Sequence, residues 1–291
     1  MRLLILSAML ALGTAAIAGC GASNTLDPVA RAATISNAAP GFRMTMNVRE
    51  SIPMLAQPLT ITGAGSFDAR DRAGSLAMSI PLSSLAGQPG VAQALGKGPL
   101  TIDVVFDHLT IYIRLPAAMA SRIPGGKPWL ELNLVKLGAA AGLPGISALA
   151  NNPAAGNPSQ MLSYLRAESG SITKLGTEQV DGVQTVHYRA TIDLDKVAGT
   201  VPSSSRAAVQ QTVATLKQLL GSSSLPVDVW VDGASLVRRM RMVLNEHPPG
   251  VPVVHVAMQL GFSFYGPQPR PTLPPPSQVT DLGSLVGQTA P

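Results

Sequence analysis

Residues 254–264 read VHVAMQLGFSF, and this stretch decides which kind of fold the sequence predicts. Apolar side chains from Val254 to Phe264 occupy every second position, and small or polar side chains occupy the positions between them. Because neighbouring side chains of a strand point to opposite faces, this period of two predicts a β-strand with one buried and one solvated face. Phe264 is the last member of the apolar series.

The same alternation recurs along most of the chain. Asp181-Gly182 and Asp232-Gly233 each separate two such segments, and Asp-Gly is a strong signal for a two-residue hairpin turn. Strands joined by short turns pair in antiparallel fashion, so the sequence predicts an antiparallel sheet of about ten to eleven strands. The other alternating segments are residues 42–49, 59–62, 76–82, 100–106, 109–115, 129–134, 171–180, 183–194, 227–231 and 236–245.

Three helices are predicted among these strands. Asp27-Pro28 is an N-cap residue followed by proline at the first helical position, which predicts a helix over residues 28–36. Asn157-Pro158 predicts a second helix to residue 168 in the same way, and residues 203–220 form the most regular helical pattern. The expected apolar face of that third helix consists of Val209, Val213, Leu216 and Leu220.

A sheet of this size with so few helices can bury its apolar face in two ways. It can close into a barrel or sandwich, or it can curl and place the helices against its concave side. Its apolar positions are rich in methionine and poor in aromatic rings, and methionine suits adaptable apolar surfaces. A curved sheet lined in this way can enclose a hydrophobic cavity. A packed core has the same periodicity, so the sequence does not distinguish a hollow interior from a filled one.

The N-terminal leader indicates export. A basic residue precedes an apolar run, residues 3–18, which is too short to span a membrane and is typical of a secretory signal peptide. Residues 17–20, IAGC, resemble the lipobox of bacterial lipoproteins, which are cleaved after the position of Gly19 and acylated, for example with palmitate, at that of Cys20. Cys20 is the only cysteine, so no internal disulfide can form, and lipidation would remove an exposed thiol. A plain signal peptide with an unrelated cysteine is the alternative.

Composition and charge restrict the class of protein. The chain has 291 residues with 28 glycines, 25 prolines and only 13% charged residues, which is typical of a strand-and-turn protein. The formal net charge is +5, but no run of Lys and Arg interleaved with aromatic residues occurs, so nucleic-acid binding is not expected. Beyond residue 266 the chain is rich in proline and cannot pair as a central strand.

The sequence contains no signature of catalysis or metal binding. The four histidines lack metal-ligand spacing, and neither a Gly-x-Ser-x-Gly elbow nor a phosphate-binding loop occurs. Asp228 and Asp232 are spaced by four residues, which could suggest a catalytic pair of carboxylates. We expect no such pair, because Asp232 belongs to a turn and Asp228 points outward. The sequence therefore predicts a protein that is not an enzyme and that uses neither a cofactor nor a metal ion.

Two features near the second hairpin turn have alternative interpretations. Trp230 shares the polar side of its strand with Asp228, where it either contacts a membrane or a partner or, as we favour, is covered by a helix. Arg238, Arg239 and Arg241 follow the turn. They either pair with acidic residues of the adjacent strand, which we favour, or contact lipid headgroups.

Two hairpins resemble those of a known family. Residues 176–188 (GTEQVDGVQTVHY) and 225–232 (LPVDVWVD) are similar to the recurring hairpins of the LppX/LprG/LprA-type lipoproteins of actinobacteria. The order of elements is also similar, and the resemblance covers residues 28–265. It implies a LolA-like α+β fold, in which a strongly curved antiparallel sheet forms a half-barrel with helices on its concave side. Members of this family hold the acyl chains of lipids or glycolipids there and carry them across the cell envelope.

This resemblance leads to a domain division and an expected function. We expect a lipoprotein signal peptide (1–19), a tether (20–26), a single lipid-binding-type domain (27–266) and a Pro-rich, disordered or extended tail (267–291). The insertion at 116–158 and the tail depart from the family pattern.

The expected protein is anchored through Cys20 to the extracytoplasmic face of the cell membrane. It binds a lipid or glycolipid and carries it across the envelope, and an envelope transporter is a candidate partner. The alternative is a non-transporting structural or regulatory binding module with a packed core. The expected cavity lining is a subset of Met44, Met46, Met78, Ile80, Ile102, Val104, Met240, Met242, Val256, Met258 and Leu260.

Overall fold

Twelve strands dominate the computed structural model of the chain, which describes residues 27–53, 55–82, 98–121, 123, 125–136, 169–197, 203–247 and 252–283. Gly19, Cys20, the tether, the helix at 157–168 and most of the 116–158 insertion lie outside the described residues. The strands are β1 (Gly41–Ser51), β2 (Leu59–Asp68), β3 (Ala73–Pro81), β4 (Pro99–Asp107), β5 (Thr110–Arg114), β6 (Trp129–Asn133), β7 (Ser169–Val180), β8 (Val183–Asp193), β9 (Ser224–Asp232), β10 (Val237–Glu246), β11 (Val254–Ser263) and β12 (Val279–Asp281).

All twelve strands belong to one sheet, in the order β12-β6-β5-β4-β3-β2-β1-β11-β10-β9-β8-β7. Neighbouring strands are antiparallel except β12 and β6, which run parallel. The sheet is curved. It is also open, because β12 and β7 remain as two edges that are unpaired within the described residues. The predicted fold class, an α+β protein built on a curved antiparallel sheet, is therefore confirmed, with one strand more than expected.

The helices that accompany the sheet include α1 (Pro28–Ala38), α2 (Ala117–Ala120), α3 (Leu194–Val197) and α4 (Ser203–Leu220). α1 begins as predicted, because the Asp27 carboxylate accepts the N–H groups of Val29 and Ala30. α4 ends at Gly221, whose φ of +60° favours glycine. On the expected apolar face of α4, Leu216 is the exception, since 38% of this residue is exposed.

Both long helices pack against the same side of the sheet. α1 contacts β9 and β10, and α4 contacts β10. Val29 of α1 is fully buried, and the ring of Phe42 lies 6.0 Å from that of Phe67 and 5.5 Å from that of Phe262, measured between centroids. No helix within the described residues combines the length and apolar character needed to cross a membrane.

A polar contact fixes α1 on the sheet. The buried Ser36 hydroxyl accepts a hydrogen bond from the backbone N–H of Val237, with 2.9 Å between nitrogen and oxygen. The Tyr265 hydroxyl donates to the carbonyl oxygen of Val237, and burial raises the pKa of Tyr265 far above its usual value. Both polar backbone atoms of Val237 therefore have side-chain partners.

We expect Ser36→Ala to lower the free energy of unfolding by about 1–3 kcal/mol, because it removes a buried acceptor from the Val237 N–H. Urea unfolding followed by circular dichroism measures the change. Thr34→Ala is the matched control, since Thr34 lies on the exposed side of α1 and its hydroxyl bonds within the helix. Equal midpoints for the two variants would show that the Ser36 contact adds no stability.

Residues 267–283 of the tail, which the sequence predicts as disordered or extended, are extended and contact the sheet, and we call them the strap. The strap runs extended across one end of the sheet and then pairs as β12 with β6. The N–H of Gln268 donates to Asp68 Oδ2 at 2.9 Å, and Arg270 Nη2 lies 3.2 Å from Asp107 Oδ1. These contacts attach the strap to the ends of β2 and β4.

The length of the strap fits this path. It starts after β11 and ends beside β6, six strands away in the sheet, which is about 29 Å at an interstrand spacing of about 4.8 Å. An extended proline-rich segment rises about 3.1 Å per residue, so Pro267–Gln278 covers about 37 Å. Proline lacks the N–H group that a central strand donates to its neighbour, but a segment that crosses the ends of strands forms no such backbone hydrogen bonds. The residues that do pair, 279–281, contain no proline.

Candidate functional site: the inner face of the sheet

The eleven residues predicted to line a cavity all lie on one face of the sheet. Directly opposed residues of antiparallel strands project from the same side. One row illustrates this, since Ile102, Met78, Gly63, Met46 and Leu260 oppose one another in turn from β4 to β11. We call this side, against which α1 and α4 pack, the inner face. Whether its residues enclose a ligand stays a prediction.

Six of the eleven predicted residues lie in or against a solid core. Met46 and Met258 are partly buried and pack against it, and the other four are buried members. The six fill the space between the two long helices and the strands β1, β10 and β11. Met240 is the most buried of them, with 2% of the residue exposed. This half of the inner face is therefore packed, and its predicted members are Met44, Met46, Met240, Met242, Met258 and Leu260.

The other half of the inner face, on β2 to β6, is only partly covered. Its large aliphatic side chains are half-buried, including the predicted Met78, Ile80 and Ile102, whereas Val104 is 7% exposed. Val256, on β11, is also half-buried. The register places the aliphatic side chains of β2 to β6 next to one another, so they form one apolar surface. We call it the open panel, and its members are Ile61, Leu76, Met78, Ile80, Leu100, Ile102, Ile111, Ile113, Leu130 and Leu132.

Two glycines separate the packed half from the open panel. Gly63 and Gly65 occupy inner-face positions of β2, opposite Met46 and Met44 of β1. A Cβ atom at residue 65 would lie 2.0 Å from the carbonyl oxygen of Ser75, so only glycine allows β2 and β3 to approach this closely. The space above Gly63 is taken by its neighbours, since a Cβ atom there would lie 3.2 Å from Leu76 Cδ1 and 3.4 Å from Met46 Cε.

Sequence reasoning missed most members of the open panel. Ile111 and Ile113 lie in a segment recognised as a strand, and so do Leu130 and Leu132. The alternation of apolar and polar residues in these segments indicates that the four side chains point to the buried face of the sheet. Their common face, however, depends on the register of β5 with β4 and β6, which the sequence pattern does not specify.

The outer face carries the polar side chains. Arg189 donates two hydrogen bonds to the Asp228 carboxylate, at 2.8 and 3.0 Å. Burial alone would raise the pKa of Asp228, but the charge and hydrogen bonds of Arg189 and His187 outweigh burial and lower it. Asp228 thus points outward in an ion pair, as expected, and Asp232 accepts the Ala234 N–H within its turn.

Trp230 is covered on the outer face by neighbouring side chains and not by the helix that we favoured. The His187 ring stacks on the Trp230 ring at a centroid distance of 4.1 Å, and the Arg239 guanidinium carbon lies 5.5 Å from the Trp230 ring centroid. The indole N–H donates to the Glu178 carboxylate. Within the described ranges, no three His, Cys, Asp or Glu residues are grouped as a metal site requires.

Comparison with known proteins finds similarity at low identity. No family model matches the chain. An uncharacterised 31.2 kDa protein from the rplA–rplJ intergenic region of Streptomyces griseus is 30% identical over 170 residues, which cover 57% of this chain and 53% of that protein. The chain therefore spans about half the length of the curated relative that it matches.

Three solved structures are similar over most of the chain. LprF from Mycobacterium bovis has a TM-score of 0.42 and 12% identity, covering 84% of this chain and 94% of LprF. The lipoprotein LppX from Mycobacterium tuberculosis has a TM-score of 0.39 and 16% identity, covering 84% and 100%. A DUF1329 family protein from Desulfovibrio piger has a TM-score of 0.29 and 9% identity, covering 81% and 90%.

Proposed function

We propose that the open panel binds the acyl chains of a lipid. The observation that carries the proposal is the continuity of half-buried aliphatic side chains across five neighbouring strands. No inner-face position of β2 to β6 carries a polar side chain within the described residues. Such a surface offers no directional contact, so it favours a hydrocarbon over a polar ligand.

The binding energy would come from removing apolar area from water. Each CH₂ group that is buried contributes about 0.8 kcal/mol, and the area term is about 25 cal/mol per Å². The half-buried panel residues lose their remaining exposed area at the same time. We therefore infer a mechanism of physical binding and release, and we propose no catalytic activity.

We further propose that the protein is a membrane-anchored carrier. The IAGC junction at residues 17–20 supports cleavage before Cys20 and acylation of its sulfur. An anchor of two or three acyl chains would hold the carrier stably at the extracytoplasmic face of the cell membrane and raise its effective concentration near donor lipids. The cargo would be a lipid or glycolipid moved across the envelope, with an envelope transporter as a candidate partner.

A non-transporting binding module is the second candidate function. The packed half of the inner face favours it, because Met44, Met240 and Leu260 already fill the space that the sequence assigned to a cavity. In that case the open panel would contact a partner protein. The two candidates differ in whether a lipid occupies the purified protein.

Native mass spectrometry of the gently purified full chain tests the proposal. We expect lipid adducts that dissociate when the protein is denatured, whereas an acyl modification of Cys20 remains covalently attached under the same conditions. Because the two lipid populations separate in this way, the anchor does not mask the cargo. If the protein carries only the covalent modification at Cys20, the result would contradict the proposal of a lipid carrier and would support the non-transporting binding module.

A further inference from the structure

We propose that the outer face of the sheet docks on an anionic membrane surface. The docking patch consists of Arg43 and Arg49 on β1, Arg239 and Arg241 on β10, and Phe264 after β11. It lies on the face opposite the open panel, so the inference does not depend on what the panel binds.

The first observation is an excess of unpaired positive charge. Within the described residues, none of the four arginines of the patch forms an ion pair with a carboxylate, in contrast to Arg189 and Arg238, which lie 2.8 and 2.7 Å from Asp228 and Asp232. Across β3, β2, β1, β11 and β10, the only outer-face carboxylate in the described residues is Asp68, which is buried at the end of β2. On the next strand, β9, Asp228 lies opposite Arg241, but its carboxylate is already bound by Arg189, so the patch keeps an excess of positive charge. A surface with excess positive charge attracts an anionic partner.

The second observation is that the patch is broad. Arg43 and Arg49 are six residues apart on β1, which is about 20 Å, and β10 lies two strands away, which is about 10 Å. Between them β11 presents small outer-face residues such as Ala257 and Gly261. The one long outer-face side chain of β11 beside Arg241 is Gln259, which is exposed and uncharged, so within the described residues no carboxylate separates the arginines of β1 from those of β10.

The third observation is the position of Phe264, which the alternating pattern assigned to the apolar face. Its φ of +47° departs from the strand, and 67% of the residue is exposed. The guanidinium carbon of the exposed Arg43 lies 4.5 Å from the ring centroid, so the ring sits beside the arginine patch. A positive φ is unfavourable for a bulky residue, and the result is an exposed aromatic ring next to positive charge.

Together these features fit a phospholipid surface better than other anions. An aromatic ring beside arginines suits the interface of an anionic membrane, where the ring enters the headgroup region and the cations contact phosphates. A single-stranded nucleic acid would need aromatic rings spaced along a groove, and the patch has one exposed ring at its border. The proposed anchor at Cys20 would keep the patch close to such a surface.

Vesicle binding of the full chain tests the proposal, with vesicles of phosphatidylcholine alone and of phosphatidylcholine mixed with phosphatidylglycerol. We expect R239Q/R241Q to lower the partition coefficient onto the anionic vesicles about 30-fold, since each arginine near the surface contributes about fivefold. Binding to neutral vesicles, which reports the leader and anchor, should not change. The matched control is R31Q/R206Q, which removes the same charge from exposed positions on α1 and α4. Equal losses in both double variants would overturn the proposal.

A fluorescence measurement reports which face touches the membrane. In a Cys20→Ser background, an environment-sensitive dye is attached at Phe264→Cys or, as control, at Gln218→Cys on α4. We expect a blue shift with anionic vesicles at position 264 only. A shift at 218 alone, no shift at 264, or tighter binding to single-stranded DNA than to the anionic vesicles would each refute the docking surface. Circular dichroism of every variant confirms that it is folded.

Discussion

Met78→Glu is expected to abolish binding of a fluorescent fatty-acid probe while the protein stays folded. Met78 lies in the open panel between Gly63 and Ile102 and is half-buried, so a glutamate there can reach water in the free protein. A bound acyl chain would have to bury the carboxylate without a partner, which costs several kcal/mol. We therefore expect the affinity for the probe to fall by at least about 100-fold.

Two further substitutions to glutamate make this result specific. Ala77→Glu places the same charge one residue away on the exposed outer face, and we expect unchanged probe binding. Met240→Glu lies on the same inner face as Met78, but in the packed half, where 2% of the residue is exposed. That variant is expected to lose more than about 4 kcal/mol of stability and to unfold.

Fluorescence titration and thermal unfolding distinguish the possible outcomes. If Met78→Glu unfolds as Met240→Glu does, the open panel is part of a solid core, and the result supports the non-transporting binding module. If Met78→Glu binds the probe as tightly as Ala77→Glu does, the lipid lies elsewhere. Only loss of binding in a folded protein supports acyl chains on the panel.

The difference between Met78 and Met240 also shows how far the sequence can be interpreted. Both residues are apolar members of alternating strands, and the period of two correctly predicts that they share one face. The alternation contains no information on which part of that face a helix covers. α1 and α4 pack over β9 and β10, so Met240 is enclosed and Met78 is not.

Local signals predicted the elements that local chemistry determines. The Asp27-Pro28 start of α1, the Asp181-Gly182 turn and the Gly221 end of α4 all lie where their backbone preferences placed them. The strap escaped prediction because its order comes from distant partners, such as the contact of Gln268 with Asp68. A proline-rich composition specifies an extended chain but not the surface on which that chain lies.

Asp68→Ala is expected to lower the free energy of unfolding by about 3 kcal/mol, because this buried carboxylate holds the strap to the sheet. Its oxygens accept the N–H groups of Arg70 and Asp71 in the β2–β3 turn and of Gln268 in the strap. Urea unfolding at neutral pH measures the loss. Asp71→Ala, at an exposed position of the same turn, serves as the control and should unfold at the parent midpoint.

The same contacts predict how acid weakens the fold. Burial alone would raise the pKa of Asp68, but the N–H donors of Gln268, Asp71 and Arg70, with the charge of Arg70, outweigh burial and hold the pKa below its usual value. A carboxylate with a depressed folded pKa stabilises the protein above its unfolded pKa of about 3.9, and this stability is lost as the pH falls through the folded value. Asp68→Asn should therefore show a shallower loss of stability below about pH 4 than the parent chain. Parallel acid curves for the parent and Asp68→Asn would mean that the charge of Asp68 does not hold the strap in place.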